Sequence, residues 1–281
     1  TIYAKYTESA REYTLTINYV YENGSLAAQT KTTSVANGTV YSVTSPVIPG
    51  YTADKLIVTG TMPTANTTIT VTYKVNQYTN TIDPNGGDLP AGTDTTPTND
   101  YNTNLTFPTV SKSFALTYEL NGGTFVDNNV MNPAIKNVAF LGWCKNSTTC
   151  TTNELITTDH ITITNGGDTY HAMWSTDSEE ILLAMAKKAS TATTDYAFNG
   201  WTNTNETTDT TYLSSSLTLN NDKIIYAKYT ETARQYTLTI NYVYTDNTTA
   251  APTITKSVAN GTEFSEESPV ITGYTADKLI V

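Results

Sequence analysis

The sequence is poor in the side chains on which most enzymes depend. Its 281 residues include two histidines, two cysteines and three tryptophans. Neither His160 nor His171 belongs to a nucleophile elbow, a phosphate-binding glycine loop or a paired-histidine motif. The carboxylates are scattered over predicted turns without the spacing of a calcium loop. We therefore expect no enzyme, no catalytic residue, no cofactor and no metal ligand, although a cation bridging two modules stays open.

Positive charge and long apolar runs are also scarce. Lysine and arginine number 15 against 26 acidic residues, which gives a net charge of −11. Such a charge repels a phosphate backbone, so nucleic acid is excluded as a partner. The longest apolar run, residues 181–186, is far too short to cross a bilayer. This sequence therefore predicts no membrane span.

The two cysteines, Cys144 and Cys150, enclose a short polar loop with the sequence CKNSTTC. A disulfide between them would indicate an oxidising, extracellular compartment. The alternative is a pair of free thiols on a loop. A zinc site is not expected, because two ligands cannot complete a tetrahedron.

What the sequence has in abundance is repetition. Residues 1–58 match residues 224–281 without a gap, and 42 of the 58 positions are identical. The period is 223 residues, and the differences concentrate at 22–26, where we expect a hairpin tip. The chain begins in what reads as the last strand of a module and stops inside the next. We expect it to be part of a longer array.

The repeated stretch has the pattern of strands. Tyr13, Leu15, Ile17, Tyr19 and Tyr21 alternate with more polar residues, which is typical of a half-buried strand. The following Asn-Gly at 23–24 supplies a turn. Threonine and tyrosine dominate the strands, as expected of a thin β-sheet core. We predict a mainly β fold (α+β) of small β-sheet modules in tandem, forming a serial rod.

Residues 11–76 resemble a known family. The opening YTLTINYVYENG, the central VANGTVYSVTSPVIPGYTAD and the closing ITVTYK are similar to the MucBP (mucin-binding-protein) domain of Gram-positive cell-surface proteins. The resemblance implies a surface location and adhesion. Residues 234–281 repeat its first two thirds.

Residues 77–233 resemble a second family. Strands ending in Asn-Gly-Gly, a Phe-x-Gly-Trp motif and an aromatic strand with a central alanine are similar to the Listeria-Bacteroides repeat, or internalin B-repeat, which implies a β-grasp-like fold. The motif residues are Phe140, Gly142, Trp143, Trp174, Phe198, Gly200, Trp201 and Tyr229. Two Asn-Gly-Gly strands precede the first Phe-x-Gly-Trp, and the second copy lacks a first half. This predicts an inserted hairpin within 77–175.

A short helix is predicted at residues 178–190, with Ser178 as N-cap, acidic residues in the first turn and lysines at the end. The alternative is that Ile181, Leu182 and Leu183 begin a strand. The predicted modules are 1–10 (last strand of a preceding B-repeat-like module), 11–76 (MucBP-like), 77–175 (B-repeat-like with inserted hairpin), 176–233 (second, partial B-repeat-like) and 234–281 (truncated MucBP-like).

Three functions fit these features. The first is a stalk or fibre segment of an extracellular, surface-attached repeat protein, stiffened by very short linkers at 74–77 and 230–234. The second is an adhesin that binds mucin-type glycans or host proteins. The third is a filament in which one unit donates a strand to the next. The expected partners are neighbouring modules of the same chain or filament.

Overall fold

The computed structural model describes residues 1–176 and 180–281. It confirms the mainly β class, since strands are the regular elements throughout and the helical element among these residues is one short 3-10 turn, Thr152–Glu154. The chain divides into two compact units. One contains residues 1–112 and 139–175, and the other contains residues 113–138 and 176–281.

Residues 12–75 form a four-stranded sheet and a packed antiparallel pair of strands. The sheet has the order β2-β1-β6-β4, with β1 parallel to β6, and the pair consists of β3 and β5. The inward-facing residues of β1, among them Leu15 and Tyr19, are buried against Val71 and Tyr73 of β6. The strands are β1 Glu12–Tyr21, β2 Leu26–Ala36, β3 Val40–Thr44, β4 Tyr51–Ala53, β5 Ile57–Thr61 and β6 Thr67–Val75.

The rest of the first unit is built from two separate stretches of chain, 77–112 and 139–175. A sheet of order β14-β16-β8 lies beside the pairs β10-β15 and β7-β9. Its core contains Ile82, Phe107, Trp143 and Tyr170. The strands are β7 Gln77–Thr79, β8 Thr81–Asp83, β9 Thr98–Asp100, β10 Asn104–Thr106, β14 Phe140–Lys145, β15 His160–Thr162 and β16 Thr169–Trp174.

The second unit repeats this plan with residues 113–138 and 180–233. A sheet of order β13-β11-β21-β19 is joined by the pairs β12-β18 and β17-β20. Leu116, Tyr118, Trp201 and Ile225 form its core. The strands are β11 Ser113–Glu119, β12 Thr124–Phe125, β13 Ala134–Asn137, β17 Glu180–Leu182, β18 Ala186–Lys187, β19 Thr194–Thr202, β20 Ser216–Thr218 and β21 Lys223–Ala233.

After β21, the second copy of the repeated stretch continues with an antiparallel pair, β22 Gln235–Val243 and β23 Thr249–Ala259. The two register shifts in this pair fall at the positions that correspond to those in β1 and β2. Farther on, Glu267 and Ile280 form an isolated bridge, just as Thr44 pairs with Ile57 in the first copy.

The predicted helix at 178–190 is wrong where the structure describes it. Ser178 and Glu179 lie outside the described residues, but Glu180–Leu182 pairs with Ser216–Thr218, and Ala186–Lys187 pairs with Thr124–Phe125. Strands form in place of the helix because Ile181 and Ala186 contact the core from β17 and β18. Tertiary pairing outweighs local propensity here.

The hairpin expected inside 77–175 exists, but it pairs elsewhere. β11 is antiparallel to β13, as a hairpin requires, and its other edge is parallel to β21 of the second unit. Residues 113–138 therefore supply the first half that the sequence of 176–233 lacks. The predicted module limits 77–175 and 176–233 are continuous in sequence. The sheets instead join residues 77–112 to 139–175 and residues 113–138 to 180–233.

Two other expectations differ from the structure. Residues 230–233 are strand rather than linker, since β21 pairs with β19 as far as Ala233 opposite Thr194. Residues 1–10, predicted to contain the last strand of a preceding B-repeat-like module, contain no strand. Their equivalents at 224–233 lie between β11 and β19, whereas no described strand flanks residues 1–11.

Candidate functional site: joints and aromatic motifs

The first joint connects the four-stranded module to residues 77–112 through one residue, Asn76, between β6 and β7. The amide of Asn76 donates to the carbonyl of Gly50 at 2.9 Å, and its carbonyl accepts from the amide of Tyr101 at 2.8 Å. Its side-chain oxygen accepts a hydrogen bond from Thr52 at 2.7 Å. The connecting residue is therefore held on both sides.

Aromatic rings close the same joint. The ring centroids of Tyr101 and Tyr51 lie 6.3 Å apart in an edge-to-face arrangement, and those of Tyr51 and Tyr21 lie 4.6 Å apart. Gly50 has a φ of +77°, and a β-carbon at this position would come within 2.0 Å of the Tyr101 ring. Glycine is needed here both for the backbone conformation and for the ring.

The second joint connects β21 to β22 through one residue, Arg234. Its amide donates to Thr193 O at 2.9 Å, and its guanidinium donates to Thr191 O at 2.8 Å. Its side chain also lies over the Tyr236 ring at 5.8 Å, and the Tyr236 hydroxyl donates to the carbonyl of Ala192 at 2.5 Å. Both sides of the turn at 191–193 are thus clamped to the joint.

The first Phe-x-Gly-Trp motif lies in β14. The register with β16 slips between Phe140 and Gly142, and Gly142 has a φ of +141°, so the motif is a β-bulge. The bulge brings Phe140 within 5.6 Å of Trp143 and 5.7 Å of Trp174. Trp143 is buried opposite Ala172, whose small side chain leaves room for the indole.

The second motif, in β19, has the same geometry. The register with β21 slips between Phe198 and Gly200, whose φ is +143°. The ring centroid of Phe198 lies 5.4 Å from that of Trp201 and 5.7 Å from that of Tyr229. Trp201 is buried opposite Ala227 and donates from its indole nitrogen to Ala184 O at 2.7 Å. The eight predicted motif residues thus form two matched aromatic clusters.

The asparagines of the Asn-Gly-Gly turns belong to these clusters, although they were not among the predicted motif residues. The Asn85 amide donates to Ala172 O at 3.0 Å, and the Asn121 amide donates to Ala227 O at 2.9 Å. Both asparagines have a φ of +48°. The sequence does show that a strand followed by Asn-Gly-Gly occurs twice, each time before an aromatic strand with a central alanine. It does not show which asparagine bonds to which alanine carbonyl.

The last glycine of each turn lies against the final aromatic residue of its cluster. A β-carbon on Gly87 would come within 2.2 Å of Trp174, and one on Gly123 within 1.9 Å of the Tyr229 hydroxyl. That hydroxyl donates to Leu120 O at 3.2 Å. Each turn is therefore fastened to the last strand of its module.

The cysteines form a disulfide, with Cα atoms 6.0 Å apart. It closes the loop after β14, and the neighbouring strand position across from Cys144 is His171. His171 shares a hydrogen bond with Asp83 at 2.7 Å, and His160 shares one with Asp159 at 2.6 Å. Within residues 1–176 and 180–281, no three His, Cys, Asp or Glu side chains gather as metal ligands. No helix in that part of the chain is long and apolar enough to span a bilayer.

Two buried groups near the disulfide have shifted pKa values. Burial raises the pKa of Tyr170 to about 12, with a further contribution from the charge of Asp168. Burial also acts to raise the pKa of Asp168, but Lys145 at 2.7 Å and the Asn146 amide at 2.8 Å outweigh it, so that the pKa is lowered. Asp168 therefore stays ionised and fixes the end of β14 beside the start of β16.

A groove of about 650 Å³ borders the first joint. Its walls carry charged, hydroxyl and amide side chains together with one aromatic ring. They include Glu22, Thr52, Asp54, Lys74, Asn76 and Tyr78. Burial acts to raise the pKa of Asp54, but hydrogen bonds from Lys55 and Thr72 lower it on balance. The groove thus presents a carboxylate beside the hydroxyls.

The duplicated strands, turns and joints define a repeat protein built from small β-modules. Its repeated module matches the family model of the MucBP domain at residues 14–74 and again at 237–280. A similar solved structure is the type 2 repeat of the mucus binding protein MUB from Lactobacillus reuteri. The matched region is 25% identical in sequence, covers 25% of this chain and 52% of that chain, and superposes with a TM-score of 0.22. The match thus spans about half of that chain. No curated protein matches.

Proposed function

We propose that this chain serves as a stiff spacer in an extracellular, cell-surface adhesion protein, without catalysis or cofactor. The observation that carries the proposal is the pair of one-residue joints, each held by backbone hydrogen bonds and an aromatic ring. A linker of one residue that is itself hydrogen-bonded to the modules on both sides cannot bend as a flexible tether does. The disulfide and the MucBP match support the extracellular, surface-attached location.

The modules in this proposal are MucBP-like at 11–76 and 234–281 and B-repeat-like between them. The matched aromatic clusters at 140–174 and 198–229 support the internalin B-repeat assignment, because one set of residues recurs in one geometry. Parallel pairing supports a β-grasp-like description of each sheet, since β8 lies parallel to β16 and β11 lies parallel to β21.

The spacer is tested by the distance between two spin labels, one on each side of the first joint. Exposed positions Thr32 and Thr95 suit this purpose. The labels are attached through unnatural amino acids, so that the disulfide is left intact. We expect a narrow distance distribution that broadens when Gly-Gly-Ser is inserted after Asn76. The matched control inserts the same residues after Asn23, in a hairpin tip, and leaves the distribution narrow. A broad distribution in the unaltered chain would refute a stiff joint.

The second candidate is an adhesin whose groove beside the first joint binds neutral glycans of mucin type. Hydroxyl, amide and carboxylate groups beside an aromatic ring are the chemistry that sugars need, and Tyr78 supplies the ring. Titration with mucin-type oligosaccharides tests this. We expect binding that Tyr78→Ala abolishes and that Tyr3→Ala, a change at an exposed residue outside the groove, leaves intact. Absence of binding would leave the spacer as the function.

The strand-exchange filament has less support. The second copy contains a groove of about 840 Å³, lined by Leu238, Ile240 and Tyr242, where β6 lies in the first copy. Residues 1–7 match β21 rather than β6 in sequence. The sequence of residues 1–7 therefore does not correspond to β6, the strand that such an exchange would replace.

A further inference from the structure

The two central modules are assembled from alternating stretches of the chain. Residues 77–112 and 139–175 form sheets with each other, and residues 113–138 form sheets with residues 180–233. The chain passes between the two units three times, after residues 112, 138 and 175. The sheet of the first module is therefore completed only after the chain has formed residues 113–138 of the second. The sheet of the second module is completed only after residues 139–175 have returned to the first.

The pairing across these passages is extensive in the second unit. β11 runs parallel to β21 from Leu116 opposite Lys223 to Glu119 opposite Tyr226. Leu116 and Ile225 are both fully buried, at 0% exposure. The ring of Tyr118 packs on Trp201 at 4.9 Å, although 83 residues separate them in sequence. A core of this kind holds its strands together without a continuous backbone.

Polar contacts fix the same register. The amide of Ala115 donates to Asp222 at 2.9 Å, and the side chain of Asn121 donates to both Asn205 and the carbonyl of Ala227. In the first unit, Asn85 donates to the carbonyl of Ala172 and Trp174 donates to the carbonyl of Pro84, which joins 77–112 to 139–175. The bond from the turn asparagine to the alanine carbonyl thus links the two halves in both modules.

We infer that residues 77–233 form an interlocked pair of modules that keeps the chain connected when its backbone is cut at a passage between the units. A cut after residue 112 leaves β8 paired with β16 across the break. A cut after residue 175 leaves β11 paired with β21, and a cut after residue 138 leaves both pairs. The junctions at 76 and 234 differ. The described strands before residue 77 pair only among themselves, and so do the described strands after residue 234. The interlock holds whether or not the chain is a spacer.

The device suits a chain exposed to proteases and tension, because one cleavage does not sever it.

The test is to insert a specific protease site after Ser175 in the full chain, cleave it and examine the product by size exclusion. We expect residues 1–175 and 176–281 to elute together in native buffer and to separate in denaturant. The matched control carries the same site after Arg234, where we expect release of residues 235–281 on dilution. A second variant, with the site after Val138, addresses any local effect of the first insertion, and its fragments are also expected to stay together.

Leu116→Ala in the variant cut after Ser175 shows whether the shared core is responsible. We expect at least ~10-fold weaker association of the fragments, because a buried leucine is lost from the contact between them. Separation of folded, cleaved chains in native buffer at both sites would overturn the interlock. So would fragments that stay together with an affinity independent of Leu116.

Discussion

Replacement of Gly50 by alanine tests how the first joint is held. The new β-carbon would lie 2.0 Å from Cδ1 of Tyr101, which forces the ring away from Tyr51. The substitution also places alanine at a φ of +77°, which L-residues disfavour by about 1–2 kcal/mol. The measured loss of stability thus combines a backbone cost with a joint cost.

Gly38→Ala separates these two costs. Gly38 has a φ of +80°, and a β-carbon at this position would meet nothing within 4 Å. It therefore carries the backbone cost alone. Gly50→Ala loses in addition the edge-to-face ring contact, about 0.5–1.5 kcal/mol, and weakens the hydrogen bond from Tyr101 to Asn76, about 0.5–1.5 kcal/mol. We expect Gly50→Ala to be less stable than Gly38→Ala by about 1–3 kcal/mol.

Urea unfolding of both variants measures the difference, and hydrogen exchange locates it. The amide of Tyr101 is bonded to Asn76 O at 2.8 Å, so its exchange should accelerate in Gly50→Ala and remain slow in Gly38→Ala. Equal stabilities in the two variants, with Tyr101 still protected, would show that the ring contact contributes nothing to the joint.

Two further predictions concern the end of β14. The lowered pKa of Asp168 contributes stability that is present above about pH 4, the unfolded pKa of aspartate, and is lost as the pH falls through the folded pKa. Asp168→Asn should therefore flatten the acid limb of the stability profile in urea titrations between pH 2 and 5, and unchanged slopes would contradict this. Replacing Cys144 and Cys150 by serine should lower stability by about 2 kcal/mol relative to the oxidised parent, the chain-entropy value for so short a loop, measured under the same urea conditions with the reduced parent as control. Identical stabilities of the oxidised and reduced parent would show that the loop adds no constraint.

The sequence predicted the local elements of this fold well because they follow from short patterns. The alternation from Tyr13 to Tyr21 gave β1, and the Asn-Gly at 23–24 gave its turn. The Phe-x-Gly-Trp motifs were recognisable, although their conformation as β-bulges, at φ values of +141° and +143°, was not. A motif reports which residues recur, whereas a bulge depends on the partner strand.

Partner choice could not be read from the sequence. Strand pairing is a non-local property, and an edge with a suitable alternation accepts several partners. β11 looked like an extra hairpin within 77–175 because the nearest Phe-x-Gly-Trp follows it, but its parallel partner β21 lies more than 100 residues away. The helix prediction at 178–190 failed for the same reason, since β17 and β18 are strands by virtue of distant partners, β20 and β12.

The two copies of the repeated segment at 1–11 and 224–234 make this dependence explicit. Ile2 and Ile225 occupy equivalent positions, yet Ile2 is fully exposed and Ile225 is at 0% exposure. The five residues that follow each isoleucine are identical, so neither composition nor propensity can account for the difference. β11 and β19 flank Ile225, whereas no described strand flanks Ile2. At residues 223–233 the segment forms β21, enclosed by β11 and β19, and Arg234 follows it. The partner strands, rather than the sequence of the segment, therefore account for its strand conformation there.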